Sequence, residues 1–451
     1  MKLYPDSKVY IVCPGNVNTG GAELCHQLAS QLIQFGVDAR LVYYETTGNA
    51  LNKKAPVHET YKKYRVPYTF RLEDRPQSIL IAPEAATEYL YYAKKIRRVI
   101  WWMAVDNYFV HDIANLKSYL SEPLFSPMKK FFYFAESDND IEHWVQSEYA
   151  RQFVKLNGIV DDKISVVGDY LNQAFLSRAA QVDLSAKKNF VAYNPRKGFE
   201  VTQQLMRLAP DIEWRPIQNM TPEQVQELLA AAKVYVDFGN HPGKDRIPRE
   251  AAVSGCVVIT GRRGSAGNDV DINIPAEFKF DERTANPLQV IEKIREVFEN
   301  FSAAHEKQAA YRARILNDKN RFAREVAEAF EIKKLPPPPP SIAFTQGVGE
   351  KSFLLAQTLF QSADLTPSFI VDDVLASTKI SDALILREQN RNFLRVGENL
   401  IEIITREDAK FLYLEGRIKK FALVEPNDAE LAELKNFYAP AVEDVLIFNR
   451  Q

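Results

Sequence analysis

The chain has 451 residues, of which 46% are hydrophobic and 26% are charged, and its formal net charge is −2. This length provides for two or three hydrophobic cores, and the near-zero charge argues against broad nucleic-acid binding, which needs a basic surface. The three cysteines, Cys13, Cys25 and Cys256, indicate buried reduced thiols rather than a disulfide framework or a metal site. The chain shows no secretory signal pattern and no apolar run of about 18 residues, so we expect a cytoplasmic protein.

The first predicted element is a strand at residues 8–13, followed by a glycine-rich loop and an apolar-periodic helix that ends at Gly36. Strand, loop and helix form half of a Rossmann-like unit, although the G-x-G-x-x-G dinucleotide fingerprint is absent. Gly20 and Gly21 open the helix, where backbone amides without side chains can approach a diphosphate or an acceptor. A plain turn is the alternative.

Five further strands are predicted in the first 177 residues. They cover residues 39–43, 78–82, 98–103, 131–134 and 164–167. After the strand at 98–103, Asp106, Asn107 and His111 are candidates for positioning an acceptor hydroxyl, and an ordinary loop is the alternative. Basic residues adjoin aromatic ones at residues 94–98 and 129–134, which fits either contact with an anionic membrane surface or charges at helix ends.

A basic loop between two apolar runs is the most informative feature of the chain. Residues 233–238 and 256–260 are short, apolar and rich in β-branched side chains, as buried strands are. Pro248 suits the first turn of a helix between them, and Gly255 suits its end. The amino end of that helix would point into the crevice beyond the carboxyl ends of the strands, where open α/β sheets bind ligands.

Three side chains at the amino end of this helix indicate what the crevice binds. Arg246 and Arg249, together with the helix dipole, favour an anion. Glu250 would repel a phosphate, but its carboxylate can accept hydrogen bonds from the hydroxyls of a ribose or a hexose. The combination predicts a nucleotide-sugar site.

At these residues the chain resembles the retaining glycosyltransferases of family 4 and their relatives with the GT-B architecture. The family motif is Glu, seven residues, Glu and Ala, then a Gly four residues on and an apolar strand; Glu250, Ala251 and Gly255 match its second half. The resemblance implies that Glu250 holds the nucleotide ribose. Pro242 stands where the family has its first Glu, so that residue's contact with the transferred sugar does not carry over.

The resemblance also extends to the basic turn after a predicted strand at 190–193. Lys197 matches the lysine that contacts the donor diphosphate in the family, and Arg196 is a candidate substitute for the family's partner arginine. Lys244 and Arg246 compete for that role. A second glycine-rich loop follows the strand at 256–260, and its residues Gly264 and Ser265 are further candidates for donor contacts.

The resemblance and the composition shifts together predict an α/β fold of the GT-B type. Residues 1–177 would form the acceptor-side Rossmann-like domain and residues 187–334 the donor-side one, closed by helices at 287–298 and 303–330 that cross back onto the first domain. Residues 335–340 hold five consecutive prolines at 336–340, which predict a stiff linker. Residues 341–451 would form a small accessory α/β or α+β domain, for which acceptor recognition, subunit contact and docking to a partner protein all remain open.

The predicted function is transfer of a sugar from a nucleotide-diphosphate sugar to a glycan or a lipid-linked acceptor, in surface polysaccharide or glycoconjugate synthesis. Lys197, with Arg246 or Arg196, would stabilise the departing diphosphate. The resemblance implies retention of configuration, and because no metal-ligand spacing is present we expect neither a metal nor another cofactor. Two alternatives are a non-catalytic nucleotide-sugar or glycan-binding protein, suggested by the missing first Glu, and a GT-B nucleotide-sugar epimerase.

Overall fold

A computed structural model describes residues 1–46, 51–109, 132–134 and 140–332, together with residue 432 and the strands between residues 342 and 448. The chain divides into two compact units. The first comprises Met1–Leu32 and Asp38–Lys333, and the second Ile33–Val37 and Lys334–Gln451. The first unit holds two parallel sheets, and the second holds one mixed sheet.

The first sheet has six strands in the order β2-β1-β3-β4-β5-β6, and every neighbouring pair is parallel. The strands are β1 Lys8–Pro14, β2 Asp38–Tyr44, β3 Ile79–Pro83, β4 Arg97–Trp102, β5 Ile141–Val145 and β6 Ile164–Val166. Its helices include α1 Gly20–Gln34 and α2 Glu148–Leu156. We call this part of the first unit the first domain.

The prediction of a strand at residues 131–134 was wrong, because residues 132–134 lie outside any strand and β5 is the fifth strand instead. The aromatic side chains of this segment pack rather than pair: the Phe134 ring stacks on Trp102 at 5.4 Å. The backbone amide of Phe132 donates to the Thr87 hydroxyl, and its carbonyl accepts from the Tyr108 hydroxyl. Hydrogen bonds to side-chain hydroxyls therefore take the place of the backbone hydrogen bonds between strands that the aromatic run had suggested.

The second sheet has four parallel strands in the order β10-β9-β7-β8. They are β7 Lys188–Tyr193, β8 Glu213–Pro216, β9 Ala232–Asp237 and β10 Val257–Thr260. Helix α3 Gln173–Ala179 precedes this sheet, and α4 Phe199–Leu208, α5 Pro222–Ala231 and α6 Arg246–Val253 connect its strands. Both strands and the helix predicted between residues 233 and 260 are confirmed. This part is the second domain.

The closing helix predicted over residues 303–330 is broken into shorter pieces. The helices after β10 are α7 Pro287–Glu299, α8 Phe301–Glu306, α9 Ala309–Leu316 and α10 Asp318–Ala329. Gln308, buried between α8 and α9, explains one break, because its side chain donates to the Val258 carbonyl and accepts from the Val258 amide. The helix must bend for this side chain to reach β10.

The last of these helices returns to the first domain. A Glu325 oxygen of α10 accepts from the Gly168 amide at 2.8 Å, and the Phe330 ring packs edge-on against Trp144 at 5.1 Å. Such a crossing was expected of the closing helices. Two parallel-sheet domains with a closing helix that crosses back confirm the predicted α/β fold of the GT-B type.

Backbone hydrogen bonds also join the two domains. The Val105 amide donates to the Pro242 carbonyl at 2.9 Å. The Asp271 carboxylate of the second domain accepts from the Glu148 and Tyr149 amides at 2.8 and 3.0 Å, and so satisfies the amino end of α2.

The second unit contains a seven-stranded sheet in the order β13-β14-β15-β12-β11-β16-β17. Its strands are β11 Ile342–Phe344, β12 Pro367–Ile370, β13 Ile385–Glu388, β14 Arg391–Val396, β15 Asn399–Ile404, β16 Lys420–Val424 and β17 Val445–Phe448. Strand β14 pairs antiparallel with β13 and β15, and the remaining pairs are parallel. The proline run lies outside the described residues. Within the described residues, no helix has both the length and the apolar character needed to cross a membrane.

Candidate functional site

A cavity of about 320 Å³ lies between the two domains of the first unit. On the first domain, its walls come from the carboxyl ends of strands: Pro14 ends β1, Pro83 ends β3, and Met103 follows β4. On the second domain, residues Gly243, Lys244, Asp245 and Arg246 close it. The cavity therefore lies where open α/β sheets bind ligands.

The amino end of α1 forms one wall, as predicted from the glycine-rich loop. Gly20 and Gly21 both line the cavity. A Cβ atom on Gly20 would lie 3.7 Å from the Arg246 side chain, so the opposite wall approaches this glycine closely. In the described part of the chain, the amides of Gly20 and Gly21 have no hydrogen-bond partner, whereas those of Ala22 and Glu23 bond to Thr19. These two amides are available to an anionic ligand.

Arg246 faces α1 from the amino end of α6. Its Nη1 donates to Glu23 Oε2 at 2.7 Å, and its Nε lies 3.5 Å from Glu250 Oε1. Burial would raise the pKa of Glu23, but the charges of Arg246 and Lys63 outweigh it and lower that pKa. Burial raises the pKa of Glu250, which lies behind Arg246 and does not line the cavity.

Lys244 and Arg249 belong to a buried ion cluster. Lys244 Nζ lies 2.8 Å from Asp318 Oδ2 and 3.3 Å from Asp169 Oδ1. Arg249 Nη2 lies 2.5 Å from Asp169 Oδ2, and its Nη1 lies 3.4 Å from Asp318 Oδ2. Burial lowers the pKa of Lys244; burial would raise the pKa of Asp169, but the two cations lower it. Arg249 does not line the cavity, so its position favours a structural role over the predicted donor contact.

Lys197 reaches the cavity only through another residue. Its Nζ donates to Asp245 Oδ2 at 2.5 Å, and Asp245 lines the cavity. The buried His241 ring lies on the other side of that carboxylate, with Nδ1 3.1 Å from Asp245 Oδ2 and Nε2 3.5 Å from Asp237 Oδ1. Arg196 is exposed and does not line the cavity.

Gly264 and Ser265 support the loop before α6 and do not line the cavity. The Ser265 amide donates to the His241 carbonyl at 2.8 Å, and its hydroxyl donates to the Gly243 carbonyl at 2.7 Å. Gly264 has a φ of +62°, and a Cβ atom there would lie 2.1 Å from the His241 carbonyl oxygen. Glycine is therefore required for this loop to pack.

The first domain contributes a carboxylate that the sequence prediction did not include. Glu84 lines the cavity, and its Oε2 accepts from the Met103 amide at 2.8 Å. Its Oε1 accepts from the Ala104 amide and from Asn107 Nδ2, both at 3.2 Å. Burial raises the pKa of Glu84 to about 7.

Asp106, one of the three predicted acceptor residues, does not line the cavity and instead accepts a hydrogen bond from Asn240 Nδ2 at 2.5 Å, across the two domains. Asn107 lines the cavity. The third, His111, lies outside the described residues. In the described ranges, no group of three His, Cys, Asp or Glu side chains is arranged to hold a metal ion.

Three other cavity residues were also missed: Gln146, Asp169 and Asp245. Glu84 and Asp169 each lie within three residues after a predicted strand, at 78–82 and 164–167. The rule that carboxyl ends of parallel strands meet at one edge, applied to every strand, would have found both.

The sequence matches no protein-family model and no curated protein. Solved structures with similar folds include HepE from Anabaena in complex with UDP-glucose, at 11% identity and a TM-score of 0.46, covering 71% of this chain and 98% of HepE. Sucrose-phosphate synthase from Thermosynechococcus elongatus matches at 12% identity and a TM-score of 0.49, covering 72% and 98% of the two chains. WaaG, a glycosyltransferase of lipopolysaccharide biosynthesis, matches at 12% identity and a TM-score of 0.42, covering 71% and 99%. At these values neither activity nor substrate carries over to this chain.

Proposed function

We propose that this protein is a glycosyltransferase that moves a sugar from a nucleotide-diphosphate sugar to a hydroxyl of a glycan or a lipid-linked acceptor. One observation carries the proposal: the amino ends of α1 and α6 meet across a cavity at the carboxyl ends of the first sheet, with Gly20, Gly21 and Arg246 on its walls. Two helix amino ends and a guanidinium favour a diphosphate there.

The charges around the cavity support a role for Arg246 in bond cleavage. When the glycosidic bond breaks, positive charge develops on the sugar and negative charge on the leaving diphosphate. Arg246 would turn from Glu23 towards that diphosphate, and fixed dipoles at the two helix ends would stabilise it without reorganising water. Lys197 would take part after leaving Asp245, whose charge His241 could then balance.

The finer features of the reaction follow from the resemblance. We infer retention of configuration, with the acceptor attacking from the face that the diphosphate leaves and a diphosphate oxygen taking the acceptor proton. Neither a metal nor a protein nucleophile is then needed. Synthesis of surface polysaccharides or glycoconjugates fits such a reaction, and the basic residues at 94–98 would suit an acceptor held at a membrane.

A non-catalytic nucleotide-sugar-binding protein is a second candidate because of Pro242. This residue replaces the carboxylate of the motif, and its carbonyl bonds to the Val105 amide instead. An epimerase would use the same cavity, with Glu84 as its carboxylate. Analysis of the sugar product separates all three: transfer to an acceptor, an epimerised sugar, or no product.

Binding and turnover test the proposal together. We expect one of UDP, GDP and dTDP to bind in calorimetry, and the corresponding nucleotide sugar to release it when an acceptor extract is added. Arg246→Ala should weaken binding about 10- to 100-fold, because a hydrogen bond to a charged group contributes about 1.5–3 kcal/mol. Arg283→Ala is the matched control, since Arg283 is exposed and pairs with Asp281.

Three results would contradict parts of this proposal. Binding of CMP alone would exclude a diphosphate donor. Equal nucleotide binding by both arginine variants and the wild type would show that Arg246 does not contact the nucleotide. Tight binding of a nucleotide sugar with no product across the panel would favour the binding protein.

A further inference from the structure

Three carboxylates of the described residues line the cavity, and one of them has no cationic partner within the described ranges. Asp169 pairs with Lys244 and Arg249, and Asp245 pairs with Lys197. Glu84 is only 2% exposed, and among the described residues no lysine, arginine or histidine nitrogen lies within 4.0 Å of it. A buried carboxylate without a counter-charge is costly, so its presence in a cavity wall calls for a compensating function.

The donors around Glu84 fix its carboxylate in place. The Met103 and Ala104 amides belong to the turn after β4, and Asn107 lies in the helical residues 105–109 that follow. Both oxygens are therefore held by the backbone or by a short side chain, with little freedom to rotate. A carboxylate oxygen can accept more than one hydrogen bond, and Oε2 has a single donor from another residue.

The carboxylate also lies beside the loop of the second domain that closes the cavity. The same turn, at Ala104, pairs with Gly243, and Val105 bonds to Pro242. Glu84 is thus placed at the junction of the two domains, opposite Arg246 and Lys244 in the same cavity. A ligand whose diphosphate lies at the amino ends of α1 and α6 would place its sugar, or an acceptor, within this remaining space.

We propose that Glu84 binds a substrate hydroxyl in this cavity, accepting its hydrogen bond and so positioning either the transferred sugar or the acceptor. The inference rests on the proposed function, because it takes a hydroxyl-bearing substrate as the occupant. The transferred sugar and the acceptor would be recognised in the same way: a neutral hydroxyl donates a hydrogen bond to a fixed carboxylate that lacks a counter-charge.

Ionisation of Glu84 gives the inference a pH dependence. The other titratable groups that line the cavity are Cys25, Tyr44, Asp169, Lys244, Asp245 and Arg246, and Glu88 follows on the same segment. Because burial raises the pKa of Glu84 to about 7, the ionised form, which is the stronger hydrogen-bond acceptor, becomes the main form as the pH rises through neutrality. We expect kcat/KM for release of the nucleoside diphosphate to rise across the same range, since this ratio reports groups of the free enzyme.

Glu84→Gln is the first test, with Glu213→Gln as the matched control because Glu213 is exposed and pairs with Arg215. Each variant is assayed with UDP-glucose and its GDP and dTDP counterparts, using water and glycerol as simple hydroxyl acceptors. At about pH 8 we expect Glu84→Gln to lower kcat/KM about 10-fold or more and to abolish its rise through pH 7. Glu213→Gln should reproduce the wild-type profile.

The binding measurements distinguish the two sources of the hydroxyl. If Glu84 holds the transferred sugar, Glu84→Gln weakens binding of the nucleotide sugar and leaves binding of the nucleoside diphosphate unchanged. If it holds the acceptor, both affinities stay at the wild-type value and only turnover falls. Either result supports the inference.

Asn107→Ala provides a second variant in case Glu84→Gln does not fold, as judged by thermal melting. Removing this donor destabilises the ionised form of Glu84, so the rise in kcat/KM should move to higher pH. A structural role alone would not shift that rise. Unchanged kinetics and pH profiles in both folded variants would overturn the inference while leaving the proposed function intact. Absence of turnover by the wild type with every donor, also in the presence of the acceptor extract, would instead overturn the proposed function, and this inference with it.

Discussion

The two walls of the cavity differ in whether their charged side chains form ion pairs. On the second domain, Lys244, Asp245 and Arg246 are each paired with an opposite charge, and two of these pairs, Lys244 with Asp169 and Arg246 with Glu23, reach outside that domain. On the first domain, Glu84 is held only by amides. The sequence drew attention to the cationic loop, yet its cations already have partners, and a ligand must compete for them.

This difference suggests separate roles for the two walls: the paired wall holds the two domains together, and the wall with Glu84 recognises the substrate. Paired charges between domains stabilise one arrangement of the two sheets, and an anion that takes Arg246 from Glu23 exchanges one partner for another. The Glu84 carboxylate forms no ion pair with a described residue, so the cost of burying its charge is offset only when a substrate binds. Variants of the paired wall should therefore change stability first, and variants of the other wall should change catalysis first.

The largest effect is expected from breaking the buried ion cluster. Arg249→Met leaves Asp169 and Asp318 without one of their cations in a buried site, and removal of one partner of a buried pair costs about 3–5 kcal/mol. Urea denaturation should show the loss. Arg283→Met, at an exposed ion pair, should change stability by about 1 kcal/mol or less. A loss below about 1 kcal/mol in Arg249→Met would mean that the cluster is not needed for the paired wall.

A smaller effect is expected at the backbone contact between the domains. In Gly243→Ala the new Cβ atom would lie 1.9 Å from the Met103 carbonyl oxygen, so the loop must move away from the first domain. Overpacking of this kind costs about 1–3 kcal/mol, and we expect weaker nucleotide binding with it. Calorimetry and thermal melting measure both effects.

Gly158→Ala serves as the control for this substitution. No atom lies within 4 Å of a Cβ at Gly158, but its φ is +91°, so the variant should lose stability through backbone strain alone. Its nucleotide affinity should equal that of the wild type. Equal affinity in Gly243→Ala as well would show that the loop position does not govern binding.

The smallest effect concerns His241 and depends on pH. Burial would lower its pKa, but the contact with Asp245 and the charge of Asp237 raise it above the ordinary value. A raised folded-state pKa stabilises the protein fully below the unfolded value of about 6.5, and this contribution is lost as the pH rises through the folded value. The stability difference between the wild type and His241→Asn should therefore shrink between about pH 6 and pH 9.

His305→Gln is the control for this titration. Burial lowers the pKa of His305 to about 4, so this residue stays neutral throughout that range. Its variant should show a stability difference that does not change between about pH 6 and pH 9. A constant difference in His241→Asn as well would mean that His241 is neutral in the folded protein.

The elements that the sequence predicted well are those with a local cause. The apolar runs around residues 8–13 and 256–260 form strands, and α6 begins and ends close to the residues that Pro248 and Gly255 suggested. Gly20, Gly21 and Arg246 line one cavity, as expected from the rule about strand ends.

The features that the sequence predicted poorly depend on contacts with residues far away along the chain. Arg249 pairs with Asp169, 80 positions away, and no local pattern marks such a pair. The break before α9 depends on Gln308 reaching β10, and residues 132–134 leave strand geometry because they pack on Trp102. The carboxylate of Glu84 was missed for another reason: a single acidic residue after a strand carries no motif.

The buried ion cluster has a consequence for how this protein can change during evolution. Asp169, Arg249 and Asp318 come from the connection after β6, from α6 and from the start of α10, yet the Arg249 guanidinium pairs with both carboxylates in one buried site. A neutral replacement at one of these positions would be tolerated only after a matching replacement at another. Lineages descending from a common ancestor should therefore keep all three together or lose them together.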